Sequence, residues 1–374
     1  MSGGPLDDLG LHFLLGLAGQ PRLGPRDRDL LARLRPAGVI LYRGNFRHDL
    51  PYQGWLDELD ALLGEVRVAI DRPSILVAID HEGGTVHRPP PPLTRYGFAR
   101  QWRAQAADVG DAMAVELASI GVNLSFAPVV DLDTNPANPV IGPRAFGAEV
   151  DEVIDAARRF SAAMHAAGVW TCLKHFPGHG DTSVDSHEAL PSLDLDLATL
   201  RRRELAPYRA LVGGAPMVMT AHILFPQLDP RTPATMSRRI LTGLLREELG
   251  YQGVVTTDDV GMKAMASRLG DPAFAGQVLA AGCDQIMVCD YWTRSERALD
   301  LAAGIAAAHA SGAVSDEVLV ASQARVSALL ARTPRHQVRA LPAEHLVAHA
   351  ARAPLHHATA GTDRAGQTVA LRDG

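Results

Sequence analysis

The sequence is poor in several residue types, and each shortage excludes a class of protein. Only three of its 374 residues are cysteines, Cys172, Cys283 and Cys289, and each stands inside an apolar run. A chain of this length can bury a large core without covalent cross-links. We therefore expect no disulfide framework and a reducing compartment.

Basic clusters and aromatic residues are also scarce. The 36 Lys and Arg are outnumbered by 42 Asp and Glu, which gives a net charge of −6, and aromatic residues make up only 5%. Nucleic-acid binding needs clustered cations to neutralise phosphates, so we expect no nucleic-acid partner. Lysine is the rarest cation, because Lys174 and Lys263 are the only two. Either an ammonium is needed at these places or the composition is simply biased toward Arg.

No hydrophobic run is long enough for a membrane span. The longest early run, residues 9–18, falls short of the roughly 20 residues that cross a bilayer. Asp7 and Asp8 precede it, where a signal peptide would have positive charge. We expect a cytoplasmic protein without a membrane partner.

Short apolar runs alternate with longer amphipathic segments over most of the chain. We predict strands at residues 11–17, 38–42, 75–80, 123–129, 170–175, 216–222, 253–258 and 285–290. We predict helices at residues 56–66, 108–120, 152–167, 197–211 and 239–249. This pattern is typical of βα units with buried parallel strands and predicts an α/β fold, a single-domain (β/α)8 TIM barrel over residues 1–333. A doubly wound open sheet is the alternative.

Residues 334–374 form a predicted C-terminal tail with a short helix at 343–352 and a loose end. The helix would place two histidines on one face, which admits a metal site, but two histidines without a third ligand bind metal weakly. The five histidines of the tail are His336, His345, His349, His356 and His357.

Polar residues crowd the carboxyl ends of the predicted strands, where barrel enzymes place their active sites. They are Asp80, Lys174, His175, His222, Asp258, Asp259 and Asp290. The densest group is KHFPGHGDTSVDSH, residues 174–187, a polar loop that Pro177 and Gly178 keep from being helical. Three interpretations stay open for it: a metal site, polar side chains that satisfy the loop's own backbone, or acid/base catalysis by Asp185 and His187.

A second polar group is GVVTTDDV, residues 253–260. Side chains alternate along a strand, so one of its two adjacent carboxylates would face the barrel mouth, as a nucleophile for an oxocarbenium-like centre. The other would face away or cap the next helix. Two further loops, DHEGGTVHR at 80–88 and NPVIGPRAFG at 138–147, are ambiguous when taken alone.

Taken together and in order, these four segments resemble family 3 glycoside hydrolases, over about residues 10–330. The branch that they are most similar to is the bacterial β-N-acetylglucosaminidases that recycle cell-wall muropeptides in the cytoplasm. The resemblance implies a metal-free barrel with Asp258 as nucleophile, His187 as general acid/base and Asp185 as its partner. It also implies that the sugar is held by Asp80, Arg88, Arg144, Lys174 and His175.

The chain departs from the family pattern at three places. TTDD replaces the commoner Ser-Asp-Asp, a proline-rich stretch follows Gly83 and Gly84, and Asp290 stands where Asn is common. The proline-rich stretch leaves the breadth of aglycones open.

The resemblance implies a retaining exo-acting enzyme that needs no cofactor and acts on a small carbohydrate or muropeptide. The sequence does not fix the oligomeric state, for which we expect a monomer. The rival functions are a phosphorylase or a broader β-glycosidase of the same family, a metal-dependent hydrolase using His175, His179 and Asp185, and a binding protein that has lost catalysis.

Overall fold

The computed structural model describes residues 4–290 and 293–355. Eight parallel strands pair in chain order and close into a barrel, because β1 pairs with both β2 and β8. The barrel prediction is therefore confirmed, and the open-sheet alternative was wrong. The strands are β1 Phe13–Gly16, β2 Gly38–Leu41, β3 Leu76–Ile79, β4 Leu124–Ser125, β5 Trp170–Phe176, β6 Met217–Thr220, β7 Val254–Asp259 and β8 Gln285–Cys289.

Helices surround the barrel and follow the strands along the chain. The α-helices are α1 Pro25–Leu34, α2 Tyr52–Ile70, α3 Ala99–Trp102, α4 Ala106–Ser119, α5 Val150–Ala166, α6 Leu197–Arg202, α7 Leu205–Leu211, α8 Ala266–Leu269, α9 Phe274–Ala281, α10 Arg297–Ala310, α11 Asp316–Arg332 and α12 Ala343–Ala350. A π-helical segment, Arg239–Glu248, follows β6.

The predicted single helix at 197–211 was wrong, because it is two helices, α6 and α7, that meet at Arg203 and Glu204. Pro207 explains the break. Proline has no amide hydrogen to donate four residues back, and its ring clashes with that carbonyl group, which here belongs to Arg203. Pro207 is accommodated in the first turn of α7.

Two apolar layers follow from the alternation of side chains along the strands. Leu14, Ala78 and Val254 pack inside the barrel, whereas their neighbours Leu15 and Ile79 pack outward against the helices. The interior layer also includes Val326, Leu329 and Leu330 of α11, together with Leu11. One end of the barrel is therefore filled by apolar side chains, and the other end carries the polar loops.

The part of the tail that the structure describes packs along the outside of the barrel. Val338 bridges to Ile120, Leu355 bridges to Tyr96, and α12 forms close to the predicted 343–352. His349 is buried, with its Nδ1 2.9 Å from Glu116 Oε1. His356 and His357 lie outside the described residues.

None of the helices that the structure describes combines the length and the apolar character needed to cross a membrane.

Candidate active site

The inward-facing rows of side chains on β3 and β5 lead to polar residues at the barrel mouth. Leu76 and Ala78 of β3 point inward, and so does Cys172 of β5. Because every second side chain shares a face, Asp80 and Lys174 continue these inward rows. The buried thiol of Cys172 senses these side chains. Burial raises its pKa, Asp258 and Asp80 raise it further, and Lys174 lowers it.

The surroundings of the two carboxylates of β7 separate their roles. Alternation alone does not separate them, because the register between β7 and β8 shifts between Thr256 and Asp259. Asp258 is half-buried, and the charges of His222, His175 and His187 act on it. Asp259 is 5% exposed. Its Oδ1 accepts hydrogen bonds from the amides of Gly261 (2.9 Å) and Cys289 (3.2 Å). Asp259 therefore joins the ends of β7 and β8, and Asp258 is the carboxylate at the mouth.

A buried carboxylate, Glu82, joins two of the predicted sugar-binding cations. Arg144 donates to it through two nitrogens, at 2.8 and 2.9 Å, and Lys174 Nζ lies 2.5 Å from Glu82 Oε1. Lys174 also donates to Asp80 Oδ1 at 3.1 Å, and Arg88 lies 3.8 Å from the other oxygen of Asp80. Four of the five predicted sugar-binding residues thus form one ionic cluster around Glu82.

The electrostatics of this cluster favour the charged forms of Glu82, Arg144 and Lys174. Burial alone would raise the pKa of Glu82, but Arg144 and Lys174 outweigh burial and hold it well below its usual range. In the same way, burial would lower the pKa of Lys174, but Glu82 and Asp80 raise it overall. Lys174 therefore stays an ammonium near neutral pH.

His175, the fifth predicted sugar-binding residue, is held by Asp131. Its Nδ1 lies 2.7 Å from Asp131 Oδ2, and its backbone amide also donates to this carboxylate. On the other side of the mouth, His222 Nδ1 lies 2.7 Å from Thr235 Oγ1, and its Nε2 lies 3.1 Å from the carbonyl oxygen of Asp259. Both rings are fixed by buried partners.

Asp258 is ionised in this setting. Burial would raise the pKa of Asp258, but the neighbouring His222, His175 and His187 lower it, as does the hydrogen bond that its carboxylate accepts from the Asp259 amide. That hydrogen bond is 2.8 Å long. A carboxylate that stays ionised and faces the mouth has the properties of a nucleophile.

Asp185 and His187 form a close pair beside Asp258. Asp185 Oδ1 lies 2.7 Å from His187 Nδ1 and accepts a 2.8 Å hydrogen bond from the His187 amide. Burial would lower the pKa of His187, but the hydrogen bond and charge of Asp185, with the charge of Asp258, raise it overall. The imidazole is thus tuned to carry a proton near neutral pH.

Comparison with known proteins identifies the family of the chain. A family model described as the N-terminal domain of glycosyl hydrolase family 3 matches residues 20–329. The chain belongs to family 3 of the glycosyl hydrolases. It is 39% identical over 291 residues to a β-hexosaminidase of Alkalilimnicola ehrlichii, which covers 75% of this chain and 80% of that protein.

Two solved structures of family 3 enzymes are similar over most of the chain. The first is a β-N-acetylglucosaminidase from Paenibacillus sp. str. FPU-7, with a TM-score of 0.83 and 32% identity, covering 93% of this chain and 68% of that one. The second is a β-N-acetylhexosaminidase from Beutenbergia cavernae, with a TM-score of 0.76 and 31% identity, covering 88% of this chain and 99% of that one. This chain is therefore a glycoside hydrolase with the barrel of its family.

The candidate metal ligands of this family 3 chain have other partners. His175 binds Asp131, Asp185 binds His187, and His179 lies between two hydroxyl groups, those of Thr182 (2.9 Å) and Ser186 (3.1 Å). Within residues 4–290 and 293–355, no group of three or more His, Cys, Asp or Glu side chains has the arrangement to hold a metal ion.

Sequence reasoning missed Glu82, Asp131 and the site role of His222. Asp131 follows the buried run at Phe126–Val130 directly, a position that we associated with the site at other strands. Glu82 lies within the 80–88 loop, but nothing local indicates that it would bind Arg144, 62 residues away. Two other polar residues noted in the sequence have different surroundings. Asp290, just after β8, pairs with Arg26 (2.5 Å). Lys263, past β7, is exposed.

Proposed function

We propose that the chain is a retaining exo-β-N-acetylglucosaminidase that removes terminal β-linked GlcNAc. The observation that carries the proposal is the arrangement of Asp258, an ionised carboxylate facing the mouth, close enough to His187 for each charge to shift the pKa of the other. The names of the similar proteins, β-hexosaminidase and β-N-acetylglucosaminidase, support the choice of sugar.

In the first step of the proposed mechanism, Asp258 attacks the anomeric carbon and forms a glycosyl ester. The glycosidic bond breaks, and Nε2 of protonated His187 gives its proton to the departing oxygen, so that the aglycone leaves as an alcohol. Asp185 stabilises the imidazolium before transfer and orients the ring through Nδ1. The pair thus replaces the carboxylic acid that most glycosidases use.

In the second step, neutral His187 takes a proton from water while the water oxygen attacks the anomeric carbon. The ester bond to Asp258 breaks, the free sugar leaves with its β configuration retained, and both catalytic groups return to their starting charge. The low pKa of Asp258 favours its departure as a carboxylate.

We propose that the ionic cluster holds the sugar. Asp80, Arg88, Arg144 and Lys174 present charged donors and acceptors to hydroxyl and acetamido groups, and Glu82 keeps Arg144 and Lys174 in place. His175, held by Asp131, adds an imidazole beside this cluster. Muropeptides of the bacterial cell wall, met in the cytoplasm during peptidoglycan recycling, are the proposed natural substrates.

We propose water rather than phosphate as the acceptor. Phosphate binding would need cations on the leaving-group side of the mouth. Arg88, Arg144 and Lys174 are each paired with Glu82 or Asp80 in the proposed sugar-binding cluster, and Lys263 is exposed. Assays with and without millimolar phosphate should therefore give free GlcNAc in both cases, and a phosphate-dependent rate with sugar 1-phosphate as product would instead establish a phosphorylase.

The decisive test compares chromogenic β-GlcNAc with β-glucoside and β-GalNAc substrates. We expect the highest kcat/KM with β-GlcNAc. In Asp258→Ala, turnover should be almost completely lost while the fold stays intact. A mechanism-based fluorinated sugar should label the peptide that contains Asp258. Labelling of Asp259 would contradict the assignment.

EDTA should leave activity unchanged, and strong inhibition by EDTA would favour a metal-dependent hydrolase.

A further inference from the structure

The loop that carries the Asp185–His187 pair has two halves with different attachments. Its base, residues 177–182, is tied to the loop after β4 by side-chain amides, because Asn135 donates to the carbonyl oxygens of Asp181 and Thr182, and Asn138 donates to those of His179 and Gly180. The base is therefore fixed to the barrel.

Close packing also restricts the base. A Cβ on Gly180 would lie 1.6 Å from the carbonyl oxygen of Leu132, so only glycine allows this approach. The tip, residues 183–190, is different, since five of its eight residues are exposed. Asp185 and His187 stand on this exposed half. Their position therefore depends on the side-chain contacts between the tip and the base.

His179 and Ser186 make that connection. The His179 ring belongs to the base and is 2% exposed, and Ser186 belongs to the tip and is 3% exposed. The His179 Nε2 lies 3.1 Å from Ser186 Oγ. The backbone of Ser186 adds a second attachment, because its carbonyl oxygen accepts a 3.3 Å hydrogen bond from the Ala264 amide, beyond β7.

The hydrogen-bond network indicates which ring nitrogen of His179 carries the proton. Thr182 donates its hydroxyl proton to the His179 carbonyl oxygen at 3.0 Å, so its Oγ1 accepts from His179 Nδ1. Nε2 then carries no proton and accepts from the Ser186 hydroxyl. Burial, with the charges of His175 and Arg144, lowers the pKa of His179 to about 4 despite nearby Asp131, so the ring stays neutral near pH 7.

We propose that His179 is a positioning residue whose hydrogen bond to Ser186 holds the Asp185–His187 pair at Asp258. Ser186 stands between the two members of the pair in the chain, so fixing its side chain fixes both of them. The inference rests on the proposed role of His187 as acid/base. It adds a part for His179 in which the residue never exchanges a proton with substrate.

Four variants test this positioning role. Ser186→Ala removes the donor, and His179→Asn keeps a group near Nδ1 for Thr182 but does not reach Ser186. His179→Gln places an amide oxygen near Nε2 and can still accept from Ser186. Ser183→Ala is the matched control, because it makes the same chemical change at an exposed position of the same tip.

We expect kcat/KM for a GlcNAc glycoside with a poor leaving group to fall roughly five- to tenfold in Ser186→Ala and His179→Asn, as for one lost hydrogen bond. The fall should be smaller with an acidic phenol as leaving group, because that group needs little protonation. His179→Gln should recover most of the rate, and Ser183→Ala should match the wild type. The double variant His179→Asn/Ser186→Ala should lose no more than either single variant.

The controls separate failure of this inference from failure of the proposed function. If His187→Ala shows the leaving-group dependence but Ser186→Ala does not, the positioning role is wrong and the acid/base role stands. If His187→Ala itself loses rate equally on both substrates, the proposed role of His187 fails first. Additive losses in the double variant, with equal melting temperatures, would also overturn the inference.

Discussion

The buried carboxylate of Glu82 offers the sharpest test of how the site is held together. Glu82→Gln keeps the shape of the side chain but removes the charge that faces Arg144 and Lys174. Glu82 is 4% exposed, and its partners are 15% and 3% exposed. Removing one member of a buried ionic group costs about 3–5 kcal/mol, because the remaining charges lose their compensation.

The remaining amide oxygen and the second partner of Lys174, Asp80, reduce this cost, so we expect a loss of about 3 kcal/mol in the free energy of unfolding. The unfolding entropy of a 374-residue chain is roughly 0.8 kcal/mol/K, at about 2.1 cal/mol/K per residue. The melting temperature should therefore fall by about 4 °C. We also expect kcat/KM on chromogenic β-GlcNAc to fall at least roughly tenfold, because Arg144 and Lys174 lose their common anchor.

Glu248→Gln is the matched control for this experiment. Glu248 also binds two cations, with Arg201 at 2.7 Å and Arg209 at 3.3 Å, but it is 26% exposed and its partners are about half exposed. Surface pairs of this kind contribute at most about 1 kcal/mol. Urea unfolding and steady-state kinetics of both variants measure the difference. Equal, small losses in the two variants would refute the argument that burial makes the Glu82 cluster indispensable.

Three further predictions concern protons and the tail. Asp185→Asn removes the group that raises the pKa of His187, so the alkaline limb of the kcat/KM profile should move to lower pH, and an unmoved limb would contradict the pairing. Burial raises the pKa of Asp259 to about 7, so the native state binds its proton more tightly and the contribution of Asp259 to the free energy of unfolding should decrease as pH rises from about 4 to 7. In urea titrations at the two ends of this range, the wild type should therefore lose stability relative to Asp259→Asn, whereas parallel pH profiles would contradict the raised pKa. His349→Leu should cost about 2 kcal/mol of unfolding free energy because it deprives buried Glu116 of a partner, while His345→Leu, at an exposed position of the same helix, should cost almost nothing, and equal losses would exclude a stabilising role for the buried pair.

Some of this site was predictable because its signals are local. Asp80, Lys174 and His175 stand at strand ends, and the parallel arrangement of βα units places all such ends on one side. Arg88 and Arg144 lie far along the loops and were predicted only from the family resemblance. The Asp185–His187 pair was also predictable, since the two side chains are two residues apart. The break between α6 and α7 was missed although its signal, Pro207, is local, because the apolar period continues across it.

The sequence by itself determined the barrel, because the change from a helical period to continuous apolar runs is a property of neighbouring residues and recurs eight times. Only the tertiary structure decided which carboxylate of β7 faces the mouth. Alternation predicts that one of Asp258 and Asp259 faces the interior, but the register between β7 and β8 shifts at this point, so the choice depends on the partners that each carboxylate meets in the fold. Tertiary structure likewise chose Glu82 as the partner of Arg144 and Asp131 as the partner of His175, 62 and 44 residues away, because barrel closure brings distant loops together.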